Sequence, residues 1–333
     1  MINVSEKNEI SGQGMVSETI AIHVAPSPHL SDPTFTTRRM MTDVLIALVP
    51  LVVMSVYVFR MFAVTQLAIC VVACLVAEFV FVKMRSKPVT LNDFSAVVTG
   101  VIIALSLPGT APWYVGVLAS VVAIGIGKVI FGGLGMNIFN PAMVGRAFVM
   151  IAFASAMGAS AYINADGTID AMSMATPLTA FKQSGVATSI LDLFVGVTNG
   201  SLGETSAFAC LLGGGYLLYR KTASWEIPAG ILSAVVVISF LADMSGGFGG
   251  RFVLHQLFGG ALLFGTFFIA TDPVSSPVTP KGKWIFGMGT GSLIMVIRLF
   301  SGYPEGVMFA VLLMNAMAPL INRWTIPKPT GVA

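Results

Sequence analysis

The chain alternates long apolar stretches with short polar interruptions, and it does so ten times. A hydrocarbon layer about 30 Å thick is crossed by roughly 17–25 apolar residues in a helix. Stretches of this kind lie at about 42–59, 63–82, 93–107, 113–131, 141–161, 206–219, 226–242, 252–270, 284–300 and 305–322. The interruptions are breakers or charges. Arg60 separates the first two stretches, and Lys83-Met84-Arg85-Ser86-Lys87-Pro88 closes the second. Pro108-Gly109-Thr110-Ala111-Pro112 reads as a tight turn, and Gly132-Gly133-Leu134-Gly135 opens a non-helical passage. The third and sixth stretches are short. They are expected to be broken or interior helices, tolerated where protein shields the backbone. The pattern predicts an all-α polytopic membrane protein with ten transmembrane helices.

The stretches fall into two similar halves. Ala104-Leu105-Ser106-Leu107-Pro108-Gly109 ends one span as Ile269-Ala270-Thr271-Asp272-Pro273-Val274 ends another. Trp113-Tyr114-Val115-Gly116 and Trp284-Ile285-Phe286-Gly287 open the spans that follow, and these run out at Phe131-Gly132-Gly133 and Phe300-Ser301-Gly302. Five spans per half is an odd number, so the halves must face opposite ways. This is the inverted-repeat pattern of many transporter folds, with sites at broken helices near the midplane. The expected organisation is an N-terminal arm at 1–36, a first membrane repeat at 37–161, an outer loop at 162–205, a second repeat at 206–323 and a tail at 324–333.

Composition narrows the class. Only 10% of the 333 residues are charged while 56% are hydrophobic, too few charges to cover a soluble domain. Residues 1–36 lack the apolar core of a cleavable signal peptide. Sorted by the ten-span topology, 13 of the 18 basic residues fall on the side of the termini and 4 on the other, with Arg146 inside a span. That bias puts both termini in the cytoplasm and the long loop outside. Cys70, Cys74 and Cys210 form no CxxC pair, and His23, His29 and His255 are the only histidines. No metal site is expected. The chain also lacks a dinucleotide fingerprint and iron–sulfur cysteine spacing.

A few polar residues stand out. Asn137 and Asn140 are three apart in Gly132-Gly133-Leu134-Gly135-Met136-Asn137-Ile138-Phe139-Asn140-Pro141. Either Asn140 caps the helix opened by Pro141, or both amides face a ligand edge that mixes N–H and C=O groups. Arg146 pairs either with a structural carboxylate or with an anionic ligand. Asp272 either caps a turn before Pro273 or faces an ion or ligand. Glu204 suits a helix N-terminus, and Glu78 either snorkels or faces a neighbouring subunit. In the outer loop, Asp170-Ala171-Met172-Ser173-Met174-Ala175-Thr176 offers an exposed threonine without a base to activate it.

These stretches, with Gly200-Ser201-Leu202-Gly203-Glu204-Thr205-Ser206, Thr271-Asp272-Pro273-Val274-Ser275 and Gly302-Tyr303-Pro304-Glu305-Gly306-Val307, resemble one membrane flavoprotein family. It comprises the D subunit of the Rnf complex and its relative, the B subunit of the sodium-translocating NADH:quinone oxidoreductase. The resemblance runs from about Pro26 to Pro329, and the short N-terminal arm looks like the Rnf protein. It implies FMN joined through a phosphoester to Thr176 by a flavin transferase, with Asp170, Ser173 and Ala175 matching the attachment motif and Met174 departing from it. It also implies a second, non-covalent flavin (riboflavin) near Asn137 and Asn140. The implied role is electron relay to partner flavoprotein and iron–sulfur subunits in the inner membrane, coupling ferredoxin and NAD chemistry to Na⁺ or H⁺ movement. The rival expectation is an inverted-repeat secondary transporter with no redox role.

Overall fold

A computed structural model describes residues 36–87, 91–157, 177–178, 181, 188–196, 198, 200–204, 206–246, 252–301 and 305–327. Among the described residues there are helices and no strand, only an isolated bridge between Pro108 and Ser201. The helices are α1 (Thr37–Phe59), α2 (Met61–Met84), α3 (Ser95–Ser106), α4 (Trp113–Val129), α5 (Pro141–Ala152), α6 (Ala207–Tyr219), α7 (Glu226–Gly246), α8 (Phe252–Phe258), α9 (Leu262–Ile269), α10 (Pro280–Phe300) and α11 (Val307–Thr325). Short turns at Ala154–Met157 and Ile190–Val195 lie between α5 and α6.

Five of these helices (α1, α2, α7, α10 and α11) are long and apolar enough to cross a membrane, and α8 with α9 forms a sixth candidate bent by 54°. The other four are apolar but only 10–17 residues long. Every apolar stretch of the sequence thus carries helix, but several are shorter than their hydropathy suggests. The helix of the fifth is interrupted after Ala152, where Phe153 leaves helical geometry, and resumes for a turn at Ala154–Met157. The eighth is broken at Gly259-Gly260, where Gly260 takes φ +68°, a conformation that glycine adopts without strain. The last seven residues of α4 and the Gly265–Ile269 part of α9 are wound as π-helix. There Ile130 N–H reaches Gly125 O and Ala270 N–H reaches Gly265 O. Such i→i+5 turns are rare and concentrate at functional places.

Close backbone approach sets the packing. A Cβ on Gly213 of α6 would overlap Ala47 O of α1, and one on Gly145 of α5 would overlap Ala119 O of α4. The contacts also give helix directions. Gly116 faces Gln66 and Cys70 while Gly125 faces Phe81, so α2 and α4 run parallel. Gly287 meets Ile227 and Gly230, Gly291 meets Ile231, and Met295 meets Ser239, so α7 and α10 are parallel too. Ala47 meets Gly213 while Asp43 meets Tyr216 and Arg220, so α1 and α6 are antiparallel. Asn140 meets Asn315 while Arg146 meets Glu305, so α5 and α11 are antiparallel.

The small residue at Gly213 is therefore predicted to hold α1 and α6 together. Gly213→Val should lower the melting temperature in detergent or abolish folding. Gly215→Ala, with nothing within 4 Å, should be neutral or raise stability by up to about 1 kcal/mol through helix propensity. Thermal unfolding followed by fluorescence-detected gel filtration compares the two.

Candidate functional site

A cleft opens where α1, α3, α4, α5 and α9 converge. Its walls are mostly apolar, from Met40, Val44, Val98, Ile102, Leu134, Phe267 and Phe268. Set among them are Ser95, Thr99, Lys128, Asn137, Asn140, Thr271 and Asp272. The structure thus brings together Asn137, Asn140 and Asp272, three residues singled out from the sequence.

Their roles differ. Asn140 precedes Pro141, and its side-chain Oδ1 accepts from Ala142 N–H at 3.1 Å and Met143 N–H at 3.3 Å, capping α5. Its Nδ2 donates to Ile269 O at 3.3 Å, tying α5 to the end of α9. Its backbone N–H donates to Asn315 Oδ1. Asn140 is thus occupied by the fold. Asn137 is different. Its Nδ2 donates to Phe139 O at 3.0 Å, but its buried Oδ1 has no partner, although only 4% of the residue is exposed. A buried amide carbonyl left unpaired costs about 1–3 kcal/mol. A ligand N–H in the cleft would remove that cost. Asp272 accepts from Val274 N–H on one oxygen and from Ser275 O–H on the other, so it shapes the turn before and after Pro273.

Arg146 and Glu204 meet elsewhere. Arg146 Nη2 lies 3.2 Å from Glu204 Oε1 and 3.4 Å from Glu305 Oε2, with the arginine buried. Glu204 also accepts from Ser201 N–H. The cap of α6 is Ser206, whose Oγ accepts from Ala209 N–H, so Glu204 holds a guanidinium rather than a helix end. Arg298 lies beside this cluster, where a Cβ on Gly260 would touch both Glu305 and Arg298. It donates to the carbonyls of Gln256 and Gly259 at the break between α8 and α9.

Several participants are not singled out by the sequence pattern. Lys128 counts there only among the basic residues on the cytoplasmic side. It is buried, 2.7 Å from Glu78 Oε1 and 2.6 Å from Ser95 Oγ. Glu78 neither snorkels nor waits for a neighbour, because it is the buried counter-ion of Lys128. A signal exists for both: an ionisable residue inside an apolar run is a functional candidate, and Lys128 lies inside the fourth run. Asp43 is visible by the same rule, and Asn315 as an uncharged polar residue inside the last run. Asp43 accepts from Tyr216, Arg220 and Thr222. Thr176, Asp170, Ser173 and Ala175 lie outside the described residues. Just beyond them, Leu178 is buried against Gly259. Cys70, Cys74 and Cys210 are buried and unpaired, and no metal-binding group occurs among the described residues.

A helical membrane protein with broken helices, paired charges in its interior and an apolar cleft with a few polar groups is thereby defined. The sequence model of the NQR2, RnfD, RnfE family matches residues 23–331, and the chain belongs to that family. The chain is 44% identical over 313 residues to the D subunit of the Na⁺-translocating ferredoxin:NAD⁺ oxidoreductase complex of Acetobacterium woodii, covering 93% of this chain and 95% of that one. It is 39% identical over 320 residues to the D subunit of the proton-translocating ferredoxin:NAD⁺ oxidoreductase complex of Clostridium ljungdahlii (92% and 96%). It is 37% identical over 343 residues to the D subunit of the ion-translocating oxidoreductase complex of Actinobacillus succinogenes (92% and 96%).

The Arg146 cluster yields a stability prediction. Arg146→Met strands the buried Glu204 and the part-buried Glu305 and should cost roughly 3–5 kcal/mol. Combining it with Glu204→Gln and Glu305→Gln removes the stranded charges and should recover a substantial part of the loss. Thermal unfolding of the purified proteins measures both.

Proposed function

We propose that this chain is an electron-carrying membrane subunit of an ion-translocating ferredoxin:NAD⁺ oxidoreductase complex. It carries FMN on Thr176 and riboflavin in the cleft beside Asn137. The observation that carries the reading is the unpaired, buried carbonyl of Asn137 in an apolar cleft, in a chain of this family. Flavins exchange one or two electrons, which lets such a protein join donors and acceptors of different kinds. Asn137 Oδ1 would accept a ring N–H. The helix cap and the Ile269 bond of Asn140 would hold the loop that presents Asn137. The phenylalanines of α9 would exclude water from the ring. The FMN assignment rests on the Asp170–Thr176 motif resemblance, and a flavin transferase would form the phosphoester.

The proposal includes ten membrane spans as two inverted repeats of five, with α8 and α9 as one broken span. Three features support it. The first helices of the halves, α1 and α6, pack antiparallel. So do the last, α5 and α11. The second and fourth helices of each half pack parallel, as α2 with α4 and α7 with α10. Both termini lie in the cytoplasm and the loop of Thr176 outside an inner membrane, by the partition of basic residues. Electrons come from and go to flavoprotein and iron–sulfur partner subunits. The relatives in Acetobacterium and Clostridium are named for different ions, so the ion coupled in this chain's complex is either Na⁺ or H⁺.

The B subunit of a sodium-translocating quinone reductase is the neighbouring reading. The relatives, each named as a D subunit, favour the first. A transporter without redox chemistry is the reading from another class. Co-expression with the flavin transferase separates them. The denatured wild-type chain should give a fluorescent gel band and an FMN mass increment. Thr176→Val should lose both while inserting normally and keeping the non-covalent flavin. A wild-type chain without either flavin would leave only the transporter.

A further inference from the structure

The cleft holds two charged residues, and they are not equivalent. The Asp272 carboxylate is engaged on both oxygens by its own turn. Lys128 comes from the π-wound end of α4 and lies on the cleft wall. Its ammonium has three N–H donors. One is given to Glu78 Oε1 at 2.7 Å and one to Ser95 Oγ at 2.6 Å. The Ser95 hydroxyl proton goes to Asp93 Oδ1 at 2.5 Å. Ser95 therefore accepts from Lys128 and cannot donate to it. As an ammonium, Lys128 keeps a third donor without a partner among the described residues.

We propose that Lys128 is a ligand-binding residue that donates this third N–H to an acceptor atom of the planar ring held in the cleft. With Asn137 Oδ1 it makes a two-point recognition element, one free acceptor and one free cationic donor. The cleft then selects a heterocycle that carries both an N–H and a carbonyl or ring-nitrogen acceptor. It rejects an apolar ring of the same shape, and it fixes which way the ring faces. Glu78, Ser95 and Asp93 act on the ligand through Lys128: they hold its Nζ in place at the π-wound end of α4. The inference rests on the riboflavin reading of the cleft.

A charge-assisted hydrogen bond lost from a buried site weakens binding roughly 10- to 100-fold. The test uses the purified complex, freed of non-covalent flavin by dialysis against a chaotropic salt. Rebinding of riboflavin is followed by quenching of its fluorescence. Lys128→Met alone would strand Glu78, so the informative variant is Lys128→Met with Glu78→Gln. It should bind riboflavin at least tenfold more weakly than wild type, and more weakly than Glu78→Gln alone, which keeps the donor. Binding by the double variant within threefold of wild type would overturn the role of Lys128 and leave the cleft reading intact. A wild-type complex that holds no riboflavin as purified and binds none when it is added would overturn both. A second arm needs no variant: 1-deaza-, 2-thio-, 4-thio- and 5-deazariboflavin each weaken one ring acceptor. The wild type should bind at least one of them tenfold more weakly than riboflavin. Equal binding of all four would sink the proposal.

Discussion

Inside an apolar slab a peptide group without a hydrogen-bond partner costs several kcal/mol, and this constraint shapes every break in the molecule. Continuous helices satisfy themselves. Broken ones need partners, and here the partners come from far along the chain. The carbonyls of Leu105 and Leu107 at the end of α3 accept from Gly203 and Leu202 N–H. The end of α9 is closed by Asn140 Nδ2 on Ile269 O, and the following turn by Asn315 Nδ2 on Ser275 O. Arg298 serves the carbonyls of Gln256 and Gly259 at the break before α9. The Arg85 guanidinium reaches Val129 O at the π-wound end of α4. Each break is thus a joint between distant segments, and the cleft lies where two joints meet.

The same logic explains which parts are legible in the sequence. Apolar runs and their Gly/Pro punctuation locate each helix, because a helix in lipid needs only its own backbone. Element ends are less legible. The bend at Gly259-Gly260 and the π-winding of α4 and α9 depend on where a remote arginine or asparagine arrives. No local pattern encodes that arrival. The site divides the same way. Asn137, Asn140 and Asp272 announce themselves beside glycine and proline. Lys128, Asn315 and Asp43 sit in runs whose neighbours are apolar, and only the rule that a membrane rarely buries an idle polar or charged group points to them.

Charge placement follows from the joints as well. A buried ion pair is not a reliable source of stability against an apolar replacement, but breaking one is costly. Such pairs fix which surfaces can meet. Asp43 of α1 meets Arg220 at the end of α6, and Arg146 of α5 meets Glu305 before α11. Each pair joins the early part of the chain to the late part, between helices that run antiparallel. A wrong pairing of these helices would strand a carboxylate in the bundle interior. The charges act as a register for assembly of two apolar halves that dispersion forces alone would not distinguish.

The two polar clusters differ in one respect. The Arg146 cluster sets its charges against one another, Nη2 meeting Glu204 and Glu305, although the buried Arg146 Nε has no partner among the described residues. The cleft is left open, with the Asn137 carbonyl unpaired and the Lys128 ammonium short of one acceptor among the described residues. A fold that needed only stability would close both, since each unmet polar group costs as much as a lost core methyl or more. These two unmet polar groups in one apolar cleft are what the proposed ligand reading rests on.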